Sequence, residues 1–252
     1  MSGGPVAQAG GRKDRQMARK KIAALVGDYY HKPDGMTAAL TRAADGSGCD
    51  LDVFTDVGRL PWDALGAYQA LVMAKENRVA PAESPAVWAT PGHELAIAGF
   101  AEAGGAVIAL HNGLASFEEK GAYFATVRGS FLYHPREHPR FTVRAIAAEH
   151  PPAAEHPPAA EHPPAAEHPA AAGFRAFELT DEMYFVRVDS TRTAKLLEVA
   201  HPDYGTSCAA WAHEVGRGRV FCFTPGHTAE VLNDPGYRAE LEAGLRWALR
   251  LS

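Results

Sequence analysis

The run Ala106–Leu110, AVIAL, constrains this chain more than any other stretch. It is short, wholly apolar, carries β-branched Val107 and Ile108, and follows a Gly104-Gly105 turn. A strand that is apolar on both faces is covered on both faces, which is the habit of parallel sheets in α/β folds. Polar His111-Asn112-Gly113 follows at once. In an open α/β sheet, ligands bind in the crevice at the carboxyl ends of the strands. The pattern therefore puts His111 where chemistry is expected.

The preceding chain has the same grammar. Strands are expected at Lys21–Gly27, Cys49–Phe54 and Ala70–Ala74, with helices at Met36–Ala44 and His93–Ala103. Strands separated by helix-sized gaps imply right-handed βαβ units and a parallel sheet. Further strands are read at Phe141–Ala147, Lys195–Ala200, Ser207–His213 and Arg219–Thr224, and an amphipathic helix at Tyr237–Leu251 closes the chain. The expectation is one α/β domain over 21–252 with a flavodoxin-like, doubly wound, mostly parallel sheet. At 252 residues and 46% hydrophobic, the chain can bury such a core.

Residues 1–20 are rich in Gly, Ala and Arg and lack the apolar core of a secretory signal, so they read as a disordered tail. No run approaches the ~18 apolar residues of a membrane span. The net charge of −5 is the wrong sign for a nucleic-acid partner. Cys49, Cys208 and Cys222 are odd in number and share no short spacing, which fits free thiols in a reducing compartment. The expected setting is cytoplasmic, without a nucleic-acid or membrane partner, and compatible with a homo-oligomer.

From Glu149 the hexapeptide EHPPAA occurs three times in tandem, and Glu167-His168-Pro169 begins a degenerate fourth copy. Six residues are too few for a solenoid unit. Proline at this density excludes helix and central strand, so 149–172 reads as an extended loop. Its regularly spaced histidines can be taken as a metal tract, but tandem expansion of one surface loop explains them more simply. With nothing apolar larger than Ala and Pro, the repeat buries little. Deleting Glu149–Ala166 is expected to change the unfolding free energy by less than ~1 kcal/mol, checked by denaturant titration.

Site residues are sought at strand ends. His111 and His227 each directly follow a buried apolar run, so both imidazoles should reach one crevice. His134 precedes a proline in a loop. Asp181 and Glu182 are adjacent carboxylates, which point opposite ways on an extended chain, and Glu182 is taken as the one facing the crevice. These four, His111, His134, Glu182 and His227, form one candidate set for a divalent metal such as zinc. The alternative is metal-free acid/base chemistry by His111, His227 and Glu182. Asp28 and His31, after the first strand, are outer substrate-binding candidates, with Tyr184 and Trp211 as aromatic faces suited to a sugar.

The order of motifs resembles the ThuA-like family, named for trehalose utilisation, whose fold is that of class I glutamine amidotransferases. The matching residues are Gly104-Gly105 with the strand to His111; Gly129, Phe131 and His134-Pro135; His168-Pro169, Gly173 and Phe177; Asp181-Glu182 and Tyr184; Trp211; Gly216–Phe221; Gly226-His227; and the last helix with Trp247. Two departures stand out: four His-Pro pairs where the family has one, and a shortened stretch between Ala74 and Pro91. The resemblance implies carbohydrate breakdown, with a disaccharide or keto-sugar as ligand. It also implies a negative. Amidotransferases place a nucleophilic cysteine after a central strand, and here His111 stands there, so cysteine-dependent glutaminase chemistry is not expected. The other reading is a non-catalytic binding or subunit protein on the same fold.

Overall fold

The computed structural model describes residues 19–146 and 167–251. The tail up to residue 18 and the repeat Glu149–Ala166 lie outside them.

The first strand, β1 (Lys21–Val26), leads through a short loop into α1 (Pro33–Gly46), which starts on a proline at its first turn. Strands β2 (Asp50–Phe54) and β3 (Ala70–Ala74) follow. Helix α2 (Pro91–Glu102) opens on a reciprocal cap: Thr90 Oγ1 accepts from His93 N, and His93 Nδ1 accepts from Thr90 N. Strand β4 (Ala106–Leu110) has the bounds expected from its apolar run, and every residue in it is buried. After α3 (Ala122–Val127) come β5 (Gly129–Tyr133), β6 (Arg140–Ala145), β7 (Phe177–Thr180), β8 (Phe185–Val188), β9 (Ala194–His201), β10 (Gly205–Val215) and β11 (Gly218–Phe223). Two helices finish the chain, α4 (Ala229–Asn233) and α5 (Pro235–Ala248).

Among the described residues the main sheet has the order β2-β1-β3-β4-β11-β10-β9-β6-β7, and β5 pairs with β8 in a separate ribbon. Strand β4 lies between β3 and β11 and is parallel to both. Parallel pairing extends from β2 to β11, whereas β10, β9, β6 and β7 add on antiparallel. The sheet is thus mixed rather than mostly parallel. The cause is local: β10 turns back into β11 through Gly216-Arg217, and β9 into β10 through a similarly tight connection, leaving no room for a crossover helix. Alternate residues of the central strands feed two cores. Ala24, Val26, Ile108 and Phe221 pack with α1 and α5; Leu25, Met73, Val107 and Cys222 pack with α2 and α3.

Close approach fixes one glycine beside the crevice. A Cβ on Gly113 would lie 2.0 Å from the Met73 carbonyl oxygen, so the turn after β4 can hug the end of β3 only with glycine there. His168 of the last repeat copy is packed in place: its ring lies 4.9 Å from Trp247, and its Nδ1 accepts from Ala170 N.

Candidate active site

Every strand of the parallel half except edge strand β2 delivers a polar residue to one edge. Asp28 and His31 follow β1, Glu76 follows β3, His111 follows β4, and His227 follows β11. Glu182 reaches the same point from the connection between β7 and β8.

His111 is fully buried and takes a positive φ of 41°, strained for a non-glycine residue. Its Nδ1 lies 2.8 Å from the Thr224 carbonyl oxygen. A carbonyl only accepts, so Nδ1 carries a proton, and whenever the ring is neutral Nε2 presents a lone pair. That Nε2 has no hydrogen-bond partner and faces Glu182 Oε2 at 3.3 Å. His31 is set in the same way. Its Nδ1 lies 2.7 Å from Asp28 Oδ1, which also accepts from His31 N, so Nε2 is the lone-pair nitrogen. It points at His227 Nδ1, 3.0 Å away, and that nitrogen is 3.3 Å from Glu182 Oε2. The His111 and His227 ring centres are 5.7 Å apart.

The adjacent carboxylates divide their work. Asp181 is fully buried and accepts from the backbone N–H of Gly226 and of His227, fixing the loop that carries the imidazole. Glu182 turns the other way, into the crevice. Burial disfavours its charge, but its contacts with the His111 and His227 imidazoles outweigh that and hold its carboxyl well below the usual carboxylate range. Asp28 is likewise depressed: burial opposes, while His31, Glu76 N and Asn112 prevail. His227 is pushed up, chiefly by its contact with Glu182.

One donor atom from each of His31, His111, Glu182 and His227 lies within 4.8 Å of the others. A tetrahedral zinc with ligands at 2.0–2.1 Å has donor–donor edges of roughly 3.3 Å. Three of the six donor–donor separations, 3.0, 3.3 and 3.3 Å, match that edge, and all six lie within 4.8 Å. Asp28 behind His31 and the Thr224 carbonyl behind His111 are partners of the kind that orient imidazoles able to bind a metal. The residues therefore fit a divalent ion.

Three site expectations change, at His134, His31 and Trp211. His134 is not in the four-residue group; its Nε2 sits 3.4 Å from the outer oxygen of Glu182, Oε1, because the loop after β5 approaches from the solvent side. His31 takes the expected place of His134, and His138, which was not singled out, joins at 3.8 Å from the same Oε1. Trp211 is not a ligand platform. It is fully buried between β10 and α3, its indole N–H donating to the Val127 carbonyl. Tyr184 does reach the crevice, stacked on His111 at 4.2 Å. The open space, about 500 Å³, is lined by Tyr30, His31, Glu76, Asn112, Phe131 and Glu182 among others.

The three thiols are elsewhere. Burial pushes Cys222, in the core beside α3, far up, and pushes Cys208 to about 12. Neither presents a thiolate near neutral pH.

A sequence-family comparison matches residues 22–248 to the ThuA family, described as trehalose utilisation. The chain belongs to the ThuA family. Its family thus ties it to carbohydrate use in general. Solved structures agree at the level of fold. A ThuA-like protein from Bacteroides uniformis is 16% identical with a TM-score of 0.68, covering 98% of this chain and 95% of that one. Another from Parabacteroides merdae is 14% identical with a TM-score of 0.67, covering 92% and 90%. A cytoplasmic protein from Salmonella typhimurium LT2 is 14% identical with a TM-score of 0.61, covering 90% and 99%. Comparison with curated protein sequences gives no match. Among the described residues no helix is long and apolar enough to cross a membrane.

Proposed function

We propose that this ThuA-family chain is a zinc-type metalloenzyme of carbohydrate breakdown, acting on a disaccharide or keto-sugar at the carboxyl edge of its sheet. The observation that carries the reading is the lone pair of His111 Nε2. It is buried, has no hydrogen-bond partner, and faces a carboxylate oxygen with His31 and His227 beside it. An acceptor facing an acceptor in a buried site is costly unless a cation or proton lies between them. We also read the parallel half as flavodoxin-like. Its order, β2-β1-β3-β4-β11, is the flavodoxin order, and the site sits at the strand ends where such folds bind ligands.

His31, His111, Glu182 and His227 would hold the ion, which supplies Lewis acidity toward a sugar carbonyl or hydroxyl. His134 and His138 flank Glu182 Oε1 on the solvent side, where the carboxylate orients their rings to exchange a proton with a ligand in the crevice. Tyr184, whose phenol is kept protonated by burial, keeps its ring over His111. The position of His111 after β4, with no cysteine at the crevice, supports an activity other than glutaminase.

The test is metal analysis of protein purified without chelator. About one equivalent of zinc or a similar divalent ion per chain is expected. Re-adding it to stripped protein at 100 times Kd should raise Tm by roughly 5–10 °C. Substoichiometric metal together with no thermal shift in zinc, manganese, cobalt or nickel would overturn the proposal.

A further inference from the structure

The crevice wall also carries a polar group that the metal cluster does not use. Glu76 and Arg78, just after β3, line the crevice together with Tyr30. Glu76 is 3% exposed, and its Oε1 accepts from Arg78 Nε at 2.5 Å and from Ser116 Oγ at 2.8 Å. No hydrogen bond reaches Oε2 from the described residues. The arginine's side chain is 42% exposed, so this is no closed interior ion pair. Sinking a carboxylate for one half-solvated partner is a poor route to stability.

The scaffold around it is nonetheless heavily constrained. Glu76 N donates to Asp28 Oδ2, and the Trp88 indole donates to the Glu76 carbonyl. Neighbouring Asn77 donates through Nδ2 to the Ser116 carbonyl and accepts from Ala89 N. Ser116 is held at φ 67°, a conformation that costs a non-glycine residue energy and collects at functional sites. Asp28 also joins the two groups. Its Oδ1 takes the N–H groups of Tyr30 and His31 and the His31 ring, while its Oδ2 takes Glu76 N and Asn112 Nδ2.

We infer that Glu76 and Arg78 form a diol-binding subsite for the second ring of a two-ring sugar, whose first ring lies at the histidines. The inference rests on the carbohydrate reading proposed above. A sugar hydroxyl both donates and accepts. A carboxylate oxygen with free capacity beside outward guanidinium N–H groups meets both needs of a vicinal diol. Tyr30, half exposed on the rim, gives the apolar face of a pyranose a ring to lie on. Because Asp28 braces both groups, their spacing is fixed, which selects for a ligand long enough to touch both.

The experiment titrates zinc-loaded, full-length protein calorimetrically with trehalose, which has two rings, and with methyl α-glucoside, which has one. Glu76→Gln and Arg78→Met should each weaken trehalose about tenfold or more while leaving methyl α-glucoside within about twofold, because only the second ring loses a charged hydrogen-bond partner. Zinc content and Tm should match the parent. If Glu76→Gln folds poorly, Arg78→Met on the rim carries the test alone. Parental trehalose affinity in Arg78→Met, or equal loss of both sugars with zinc retained, overturns the subsite. A zinc-loaded parent that binds neither sugar overturns the carbohydrate reading, and the subsite falls with it.

Discussion

Glu182→Gln is expected to weaken zinc binding by more than about 100-fold, the upper end of what losing an outer-shell partner costs. Glu182 is the only anion among the four converging groups, and its Oε2 faces both His111 Nε2 and His227 Nδ1 at 3.3 Å. The amide keeps the shape but removes the charge that offsets a dication and opposes the desolvation of two imidazoles. His134→Ala should do far less, within roughly tenfold, since it touches only Oε1. Competition with a coloured chelator measures both. Equal effects of the two substitutions, or parental affinity in Glu182→Gln, would refute the assignment of the four-residue group. The pairing of variants matters because either alone can be mistaken for a general loss of folding.

The parallel half of the fold is legible because its central strands are buried on both faces and so appear as unbroken apolar runs. Ala70–Ala74 and Ala106–Leu110 have the same bounds in sequence and structure. The antiparallel half was not legible as such, because β6, β7 and β9 alternate and can pair with many partners. Strand order there is decided by turns and by packing against the last helix. In the site, His111 and His227 announce themselves as polar residues ending apolar strands. His31 does not, since it lies five residues past β1. Its cue is Asp28 three positions earlier, whose carboxylate fixes both the His31 backbone and its tautomer. Trp211 misleads for the opposite reason: an aromatic in a family motif can be kept for the core, and this one spends its N–H on Val127. Glu76 and Arg78 went unread inside a polar, proline-rich stretch, where nothing in the residue order reveals that Asp28 and Asn77 pin the loop to the crevice wall.

Glu240→Gln is expected to stabilise the protein in alkaline solution and to flatten its pH profile. Glu240 lies on α5 and is 3% exposed, and its Oε1 has no hydrogen-bond partner. Arg175 lines the same neighbouring cavity but forms no ion pair with it among the described residues. Burial, with no charged partner to offset it, pushes the carboxyl up to about 8 from an ordinary 4.5. The sign follows from proton counting. Between those two values the folded chain keeps the proton and the unfolded chain has lost it, so folding takes up a proton and rising pH lowers stability. Below about 4.5 both states are protonated, and above about 8 both are ionised and the full penalty is present. A shift of this size corresponds to at most roughly 4–5 kcal/mol. The uncharged glutamine escapes this penalty, so its Tm advantage should be near zero at pH 5 and grow to roughly 10 °C by pH 8.5, at about 2–4 °C per kcal/mol for a chain of this length. Melting curves of the parent and Glu240→Gln across pH 5–9 decide the matter: profiles that run parallel would mean that the carboxyl ionises without cost, through solvent or a partner that reaches Oε1.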